Sequence, residues 1–119
     1  SGEKLVQRLE QRLDNMTYRL GFASTLRQAR QMVVHGHILV NGKKVDRPSY
    51  KVEVEDTISL KEKSKSIAIF KDSFTSTTTN LPYLEKNLND FSGKLIAEPK
   101  RDQVPIEVTD SYIIEFYSK

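Results

Sequence analysis

The sequence contains no cysteine, no initiating methionine and no long apolar run. Without cysteine, neither disulfide bonds nor thiolate metal ligands are available. No stretch approaches the roughly 20 apolar residues that span a bilayer, which argues against a membrane partner. The chain opens with Ser1 and Gly2 instead of methionine, so we expect a piece of a longer protein.

What the sequence does contain is charge, unevenly distributed. Of its 119 residues, 37% are apolar and 29% charged, which suits one domain with a modest core. Residues 1–50 hold nine Lys and Arg against four acids, whereas residues 51–119 hold ten against twelve. A basic half of this kind attracts polyanions such as nucleic acid or anionic lipid.

The first 36 residues have the spacing of amphipathic helices. Between Lys4 and Leu20 the apolar residues fall on one side, which predicts one helix or two, with Asp14 and Asn15 as a cap for the second and Gly21 as its stop. On one continuous helix, Arg8, Arg12 and Arg19 would form a single basic edge beside this apolar side.

A further helix is predicted after Thr25, which fits a capping box with Gln28. Gly36 would end this helix in a left-handed turn. Arg27 and Arg30 lie opposite its apolar residues, so they should face solvent or a partner.

The remainder of the chain has mainly β signals. Asn41 and Gly42 lie between two short extended runs and predict a hairpin with a type I′ turn. Alternating apolar residues from Val52 to Leu60 predict two half-buried strands around a turn at residues 55–56. Residues 67–74 suggest a short helix, and the apolar run at residues 111–118 suggests a docked C-terminal strand.

Two histidines could indicate a metal or catalytic site. His35 and His37 are two positions apart, but a zinc site needs at least a third ligand, and the nearest carboxylate in sequence is Asp46. The sequence has no nucleophile elbow and no glycine-rich phosphate loop. We therefore predict no catalytic residue, no metal, no cofactor and no small-molecule substrate.

Binding to a polyanion accounts for more of these residues. Arginines and lysines of the helices and the hairpin would contact phosphates, with histidine and asparagine as hydrogen-bonding neighbours. The residues predicted to bind a polyanion are Arg8, Arg12, Arg19, Arg27, Arg30, His35, His37, Asn41, Lys43, Lys44 and Arg47. For Asn41 the turn geometry, and for His35 the helix terminus, are sufficient explanations without a bound polyanion.

Residues 12–52 resemble the S4-type RNA-binding domain (the alpha-L motif). The resemblance rests on Arg12-Leu13-Asp14, on Gly21, on the Arg-x-x-Arg spacing of residues 27–30, and on the Gly-His-Ile-x-Val-Asn-Gly pattern of residues 36–42. The forms "YRLGFA", "RPSYKV" and "KEKS", and the ending "PIEVTDSYIIEFYSK", are similar to the bacterial uS4 family of small-subunit ribosomal proteins.

This resemblance implies an α+β fold, with two packed helices against a small, mostly antiparallel sheet and a C-terminal strand returning onto the core. It divides the chain into residues 1–11, a helix of a preceding helical region; residues 12–76, the S4 domain; and residues 77–119, an extension packing back on the core. The family's basic N-terminal region is absent. Glu55 and Asp56 also occupy a turn where the family usually has glycine, so this turn should differ in shape.

The implied function is binding of a folded 16S rRNA junction early in small-subunit assembly, in the cytoplasmic ribosome, with a contribution to translational accuracy. Implied partners are 16S rRNA, ribosomal protein S5 and, in some family members, the protein's own mRNA. The resemblance thus implies that the residues predicted to bind a polyanion are RNA-binding residues. Two alternatives stay open. The chain could be the S4 appendage of an RNA-modifying enzyme, or a protein-interaction module that docks through its aromatic C-terminus.

Overall fold

The computed structural model describes residues 2–105. These residues form four α-helices, five strands and two short 3₁₀ helices. In chain order the elements are α1 (Gly2–Glu10), α2 (Leu13–Arg19), α3 (Leu26–Val34), β1 (Ile38–Val40), β2 (Lys43–Lys44), β3 (Thr57–Leu60), a 3₁₀ helix (Glu62–Ser66), α4 (Ala68–Ser76), β4 (Leu84–Asn87), β5 (Ser92–Leu95) and a 3₁₀ helix (Arg101–Gln103).

The predicted first helix is two helices, and the break lies at Gln11 and Arg12. The cap of α2 is Arg12, not Asp14 or Asn15 as predicted. Free N–H groups at the start of α2 are instead satisfied by the segment after the hairpin: Leu13 donates to the Tyr50 carbonyl (2.9 Å) and Asp14 to that of Pro48 (3.1 Å). Residues 48–52 therefore pack against the break.

Both α2 and α3 end where a glycine permits it. Gly21 and Gly36 have φ values of +91° and +80°, in the left-handed region that side chains disfavour. After α3, the Gly36 N–H donates to the Val33 carbonyl and the His37 N–H to that of Met32, both at 3.0 Å. These two bonds form a Schellman motif, which places His37 directly above the end of α3.

The hairpin forms as predicted. Val40 pairs with Lys43 across a two-residue turn, in which Asn41 and Gly42 have φ values of +52° and +82°. Two positive φ values are what a type I′ turn needs, and this turn matches the twist of the strands it joins. Antiparallel pairs then join all five strands in the order β2-β1-β3-β5-β4.

The structure corrects the predicted β-segment at residues 52–60. Only its second half is a strand, β3. Val52 is buried, but its N–H donates to the Gln11 carbonyl (2.8 Å) and not to a sheet, and Val54 is 37% exposed. Glu55 turns the chain with a φ of +80°, in the left-handed region that favours glycine. The alternation of apolar residues therefore predicted the burial of Val52, Ile58 and Leu60 but not the exposure of Val54, and it predicted strand pairing correctly only for β3.

Helix α4 forms as predicted, whereas the hairpin of β4 and β5 was not predicted. Its strands are polar, and the hairpin continues the sheet because β5 pairs with β3. One core unites α2, α3, α4 and the sheet, so the α+β prediction is confirmed.

The predicted C-terminal strand lies outside the described residues, and the three-part division of the chain stays a prediction. Among the described helices, none is long and apolar enough to cross a bilayer.

Candidate nucleic-acid interface

Helix α3 presents a basic exposed side. Ala29, Met32 and Val33 are buried against the core. Arg27 and Arg30 are exposed on the other side, and the exposed positions continue through residues 31 and 34 to the end of the helix. The helix is fixed at its start by the Thr25 side chain, which accepts a 3.0 Å hydrogen bond from the Gln28 N–H. The two guanidinium groups thus project from a helix anchored at both ends.

The end of this exposed side meets the hairpin at Gly36. A Cβ atom at Gly36 would lie 3.1 Å from Cδ and 3.8 Å from Nζ of Lys44, so the lysine side chain lies across the glycine. On either side of Gly36 the rings of His35 and His37 have centroids 6.4 Å apart. The helix terminus and β2 therefore bring three basic side chains together, and the partial negative charge at the end of a helix favours them.

We call Arg27, Arg30, His35, His37 and Lys44 the α3–hairpin surface. Lys43 is exposed too, but consecutive strand residues project to opposite faces of a sheet. Lys43 pairs with the buried Val40 and Lys44 with Leu39, so the two lysines leave β2 on different sides. Lys43 and Lys44 therefore do not present their two positive charges on the same face of the hairpin.

His37 is only partly exposed, and its ring is already engaged. Its Nδ1 lies 2.7 Å from the Ser64 hydroxyl, and its ring packs edge-on against Phe70 with centroids 4.9 Å apart. Desolvation, followed by the nearby charges of His35 and Lys61, lowers the pKa of His37 below its ordinary value. The imidazole is therefore neutral at neutral pH, and its Nδ1 is already engaged by Ser64.

Asn41 uses both ends of its amide within the protein. Its Nδ2 donates to Asp56 Oδ1 (2.8 Å), and its Oδ1 accepts from the Thr57 N–H (2.9 Å). These bonds tie the hairpin turn to the turn before β3. Asn41 was predicted to contact RNA, and the structure gives it a second, structural task.

Arg8 and Arg12 lie together beside the helix break. With Ser49 and Lys51 they line a surface depression of about 200 Å³. Arg12 also makes a bidentate ion pair with the buried Asp14, both contacts at 3.1 Å. Sequence reasoning did not select Lys51, although it lies in the segment that packs on the break.

Arg19 lies elsewhere. It pairs with Glu10, with Nε 2.8 Å from Oε2, and both side chains are largely buried. It lines a different depression of about 610 Å³, formed with Tyr18 and residues 77–81 among others. The single basic edge of Arg8, Arg12 and Arg19 was wrong, because it assumed a continuous helix and the chain breaks after Glu10.

The last predicted residue, Arg47, is exposed in the segment after the hairpin, with its guanidinium 5.8 Å from the Tyr50 ring centroid. A guanidinium so placed gains modestly from the ring's negative face and stays open to solvent. Within residues 2–105, no three His, Asp or Glu side chains are grouped to hold a metal ion. What the basic groups can do is bind an extended anion.

Comparison with known proteins shows a family match and several similar relatives. Residues 11–58 match the S4 domain family. The whole chain is 56% identical to the small ribosomal subunit protein uS4B of Clostridium acetobutylicum, 51% to uS4 of Finegoldia magna and 49% to uS4 of Clostridium beijerinckii. The chain spans 62%, 60% and 58% of the length of these relatives, respectively.

Proposed function

Because this chain belongs to the uS4 family of small-subunit ribosomal proteins, we propose that it binds ribosomal RNA and acts without catalysis. More specifically, we propose that its target is a folded 16S rRNA junction, bound early in assembly of the small subunit of the cytoplasmic ribosome. Arg27, Arg30 and Lys44 are the groups that would contribute most to affinity.

The observation that carries this proposal is the meeting of α3 and the hairpin at Gly36. Lys44 lies across the end of the helix whose exposed side bears Arg27 and Arg30. Phosphates repeat along an RNA backbone, so cations that follow a helix and continue onto a neighbouring strand match a backbone better than a small anion. A-form major grooves are too narrow for side chains, so this rigid surface would select RNA by shape.

The family's further roles are proposals of the same kind. We propose contact with ribosomal protein S5, an effect on translational accuracy and, as a lesser proposal, binding to the protein's own mRNA. The α3–hairpin surface alone would not account for any of these three roles. The alternative of an appendage from an RNA-modifying enzyme loses support, because the relatives that match along the whole chain are named as ribosomal proteins.

The test is a filter-retention titration of naked 16S rRNA with the 119-residue chain and two matched variants. Arg27→Ala with Arg30→Ala removes two charges from the α3–hairpin surface. Lys100→Ala with Arg101→Ala removes two exposed charges from the segment beside α1. We expect the first variant to bind at least about tenfold more weakly and the second to stay within about threefold of the unmodified chain. Equal affinities of the two variants would contradict the proposal.

A further inference from the structure

The short segment after β3 carries lysines that the RNA-binding prediction did not include. Lys61 and Lys63 are exposed, and the 3₁₀ helix Glu62–Ser66 presents Lys65 as well. Lys65 forms an ion pair with Glu62 at 3.1 Å, so the carboxylate of this segment is already paired. Within residues 2–105, neither Lys61 nor Lys63 forms an ion pair. Two uncompensated ammonium groups thus project from one turn of chain.

His37 holds this segment beside the α3–hairpin surface. The Lys61 N–H donates to the His37 carbonyl (2.8 Å), and the Ser64 hydroxyl meets Nδ1 of the His37 ring (2.7 Å). Ser64 is buried, at 3% exposure, and its own N–H closes the turn onto the Lys61 carbonyl (2.8 Å). Backbone and side chain of one histidine therefore fix both ends of the turn that bears Lys61 and Lys63.

The same histidine is fixed on its other side by α3. Its N–H closes the Schellman motif on Met32, and its ring packs against Phe70 of α4. The charged groups that lower its pKa are basic ones, His35 and Lys61, while Lys44 lies across the adjacent Gly36. Basic groups from the end of α3, from β2 and from the segment after β3 therefore all lie near His37.

We propose that Lys61 and Lys63 contact RNA phosphates as a continuation of the α3–hairpin surface, and that His37 and Ser64 position them. In this arrangement His37 is a positioning residue and not an RNA contact. The inference rests on the proposed function, because it concerns the same RNA. It enlarges the contact surface from two elements to three.

The first experiment measures how the affinity for naked 16S rRNA depends on KCl concentration. Lys61→Ala with Lys63→Ala should weaken binding about tenfold and make the slope of log K against log[salt] shallower by about two, since each lost phosphate contact removes about one. The matched control is again Lys100→Ala with Arg101→Ala, whose slope should stay unchanged.

The second experiment removes the hydrogen bond between Ser64 and His37 without removing a lysine. Ser64→Ala should make the salt slope shallower by about one or more, because the lysines are no longer held toward the RNA. His37→Asn keeps a hydrogen-bonding group near the position of Nδ1 and should retain most of the slope, whereas His37→Leu should lose as much as Ser64→Ala. Loss of stability alone would not move the slope, and thermal melts identify variants that fail to fold.

The outcomes separate this inference from the proposed function. If Arg27→Ala with Arg30→Ala weakens binding but Lys61→Ala with Lys63→Ala behaves like the control, the inference is overturned and the proposed function stands. If neither differs from the control, both are overturned. If His37→Asn lowers the affinity as much as His37→Leu does, while Ser64→Ala leaves both affinity and salt slope unchanged, His37 contacts RNA directly and the positioning role is wrong.

Discussion

The phenolic hydroxyl of Tyr83 donates a 2.7 Å hydrogen bond to Oε2 of Glu10, joining residues 73 positions apart. The same carboxylate receives the Arg19 guanidinium, and Tyr83 is fully buried. Burial, together with the charge of Glu10, raises the pKa of Tyr83 above its ordinary value, so the phenol stays protonated and donates. This cluster links α1, α2 and the residues just before β4.

Removing Arg19 should therefore harm stability more than RNA binding. Arg19→Ala leaves the buried Glu10 carboxylate without its cation, which typically costs about 3–5 kcal/mol of unfolding free energy. Tyr83→Phe removes one hydrogen bond to a charged group and should cost about 1.5–3 kcal/mol. Urea unfolding measures both losses. Arg27→Ala is the control, because its exposed guanidinium should change stability by less than about 0.5 kcal/mol.

Asn41 allows turn geometry and amide bonding to be separated. Asn41→Gly favours the left-handed conformation but loses the bonds to Asp56 and Thr57. Asn41→Ala loses these bonds and also disfavours the left-handed conformation. We expect Asn41→Ala to cost about 1 kcal/mol more than Asn41→Gly, as judged by urea unfolding. If the two variants unfold alike, the left-handed turn is not what the asparagine supplies.

Gly93 is required by the close packing of α2 on the sheet. A Cβ atom there would lie 2.6 Å from Cδ1 and 3.0 Å from Cγ of Leu20, which is fully buried. Gly93→Ala should thus overpack the core and cost about 1–3 kcal/mol. The double variant Gly93→Ala with Leu20→Ala should lose less than the sum of the two single variants. Additive losses in a thermal melt would contradict this contact.

Stability should fall as the pH falls below about 6.5, in part because of His37. Its pKa is lowered in the folded chain, so the unfolded chain takes up this proton first and gains stability from it. The contribution of His37 is fully present above its unfolded pKa and is lost as the pH falls toward its folded pKa. His37→Asn should therefore show a smaller drop in Tm between about pH 7.5 and about pH 5.5 than the unmodified chain. Parallel drops would contradict the lowered pKa.

Local signals in the sequence were sufficient for several elements. The ends of α2 and α3, and the hairpin turn, depend on Gly21, Gly36 and Asn41-Gly42, whose conformational preferences act within a few residues. The segment at Val52 and the β4–β5 hairpin depend instead on partners far along the chain, Gln11 and β3. No local pattern encodes such pairings.

The candidate interface divides in the same way. Arg27 and Arg30 were predictable because helix periodicity separates exposed from buried positions. The position of Arg19 away from Arg8 and Arg12 could not be predicted, because Arg19 pairs with Glu10 across a break that residues 48–52 stabilise. Lys61 has no periodic signal, and the hydrogen bonds that Lys61 and Ser64 make to His37 place it near the other cations.

The central claim is that cations held on one rigid surface bind RNA phosphates. The affinity of the unmodified chain for naked 16S rRNA, measured across KCl concentrations, tests it most directly. Four to six phosphate contacts predict a straight line of log K against log[salt] with a slope of about −3 to −5. A binding constant that does not change with salt would contradict the account.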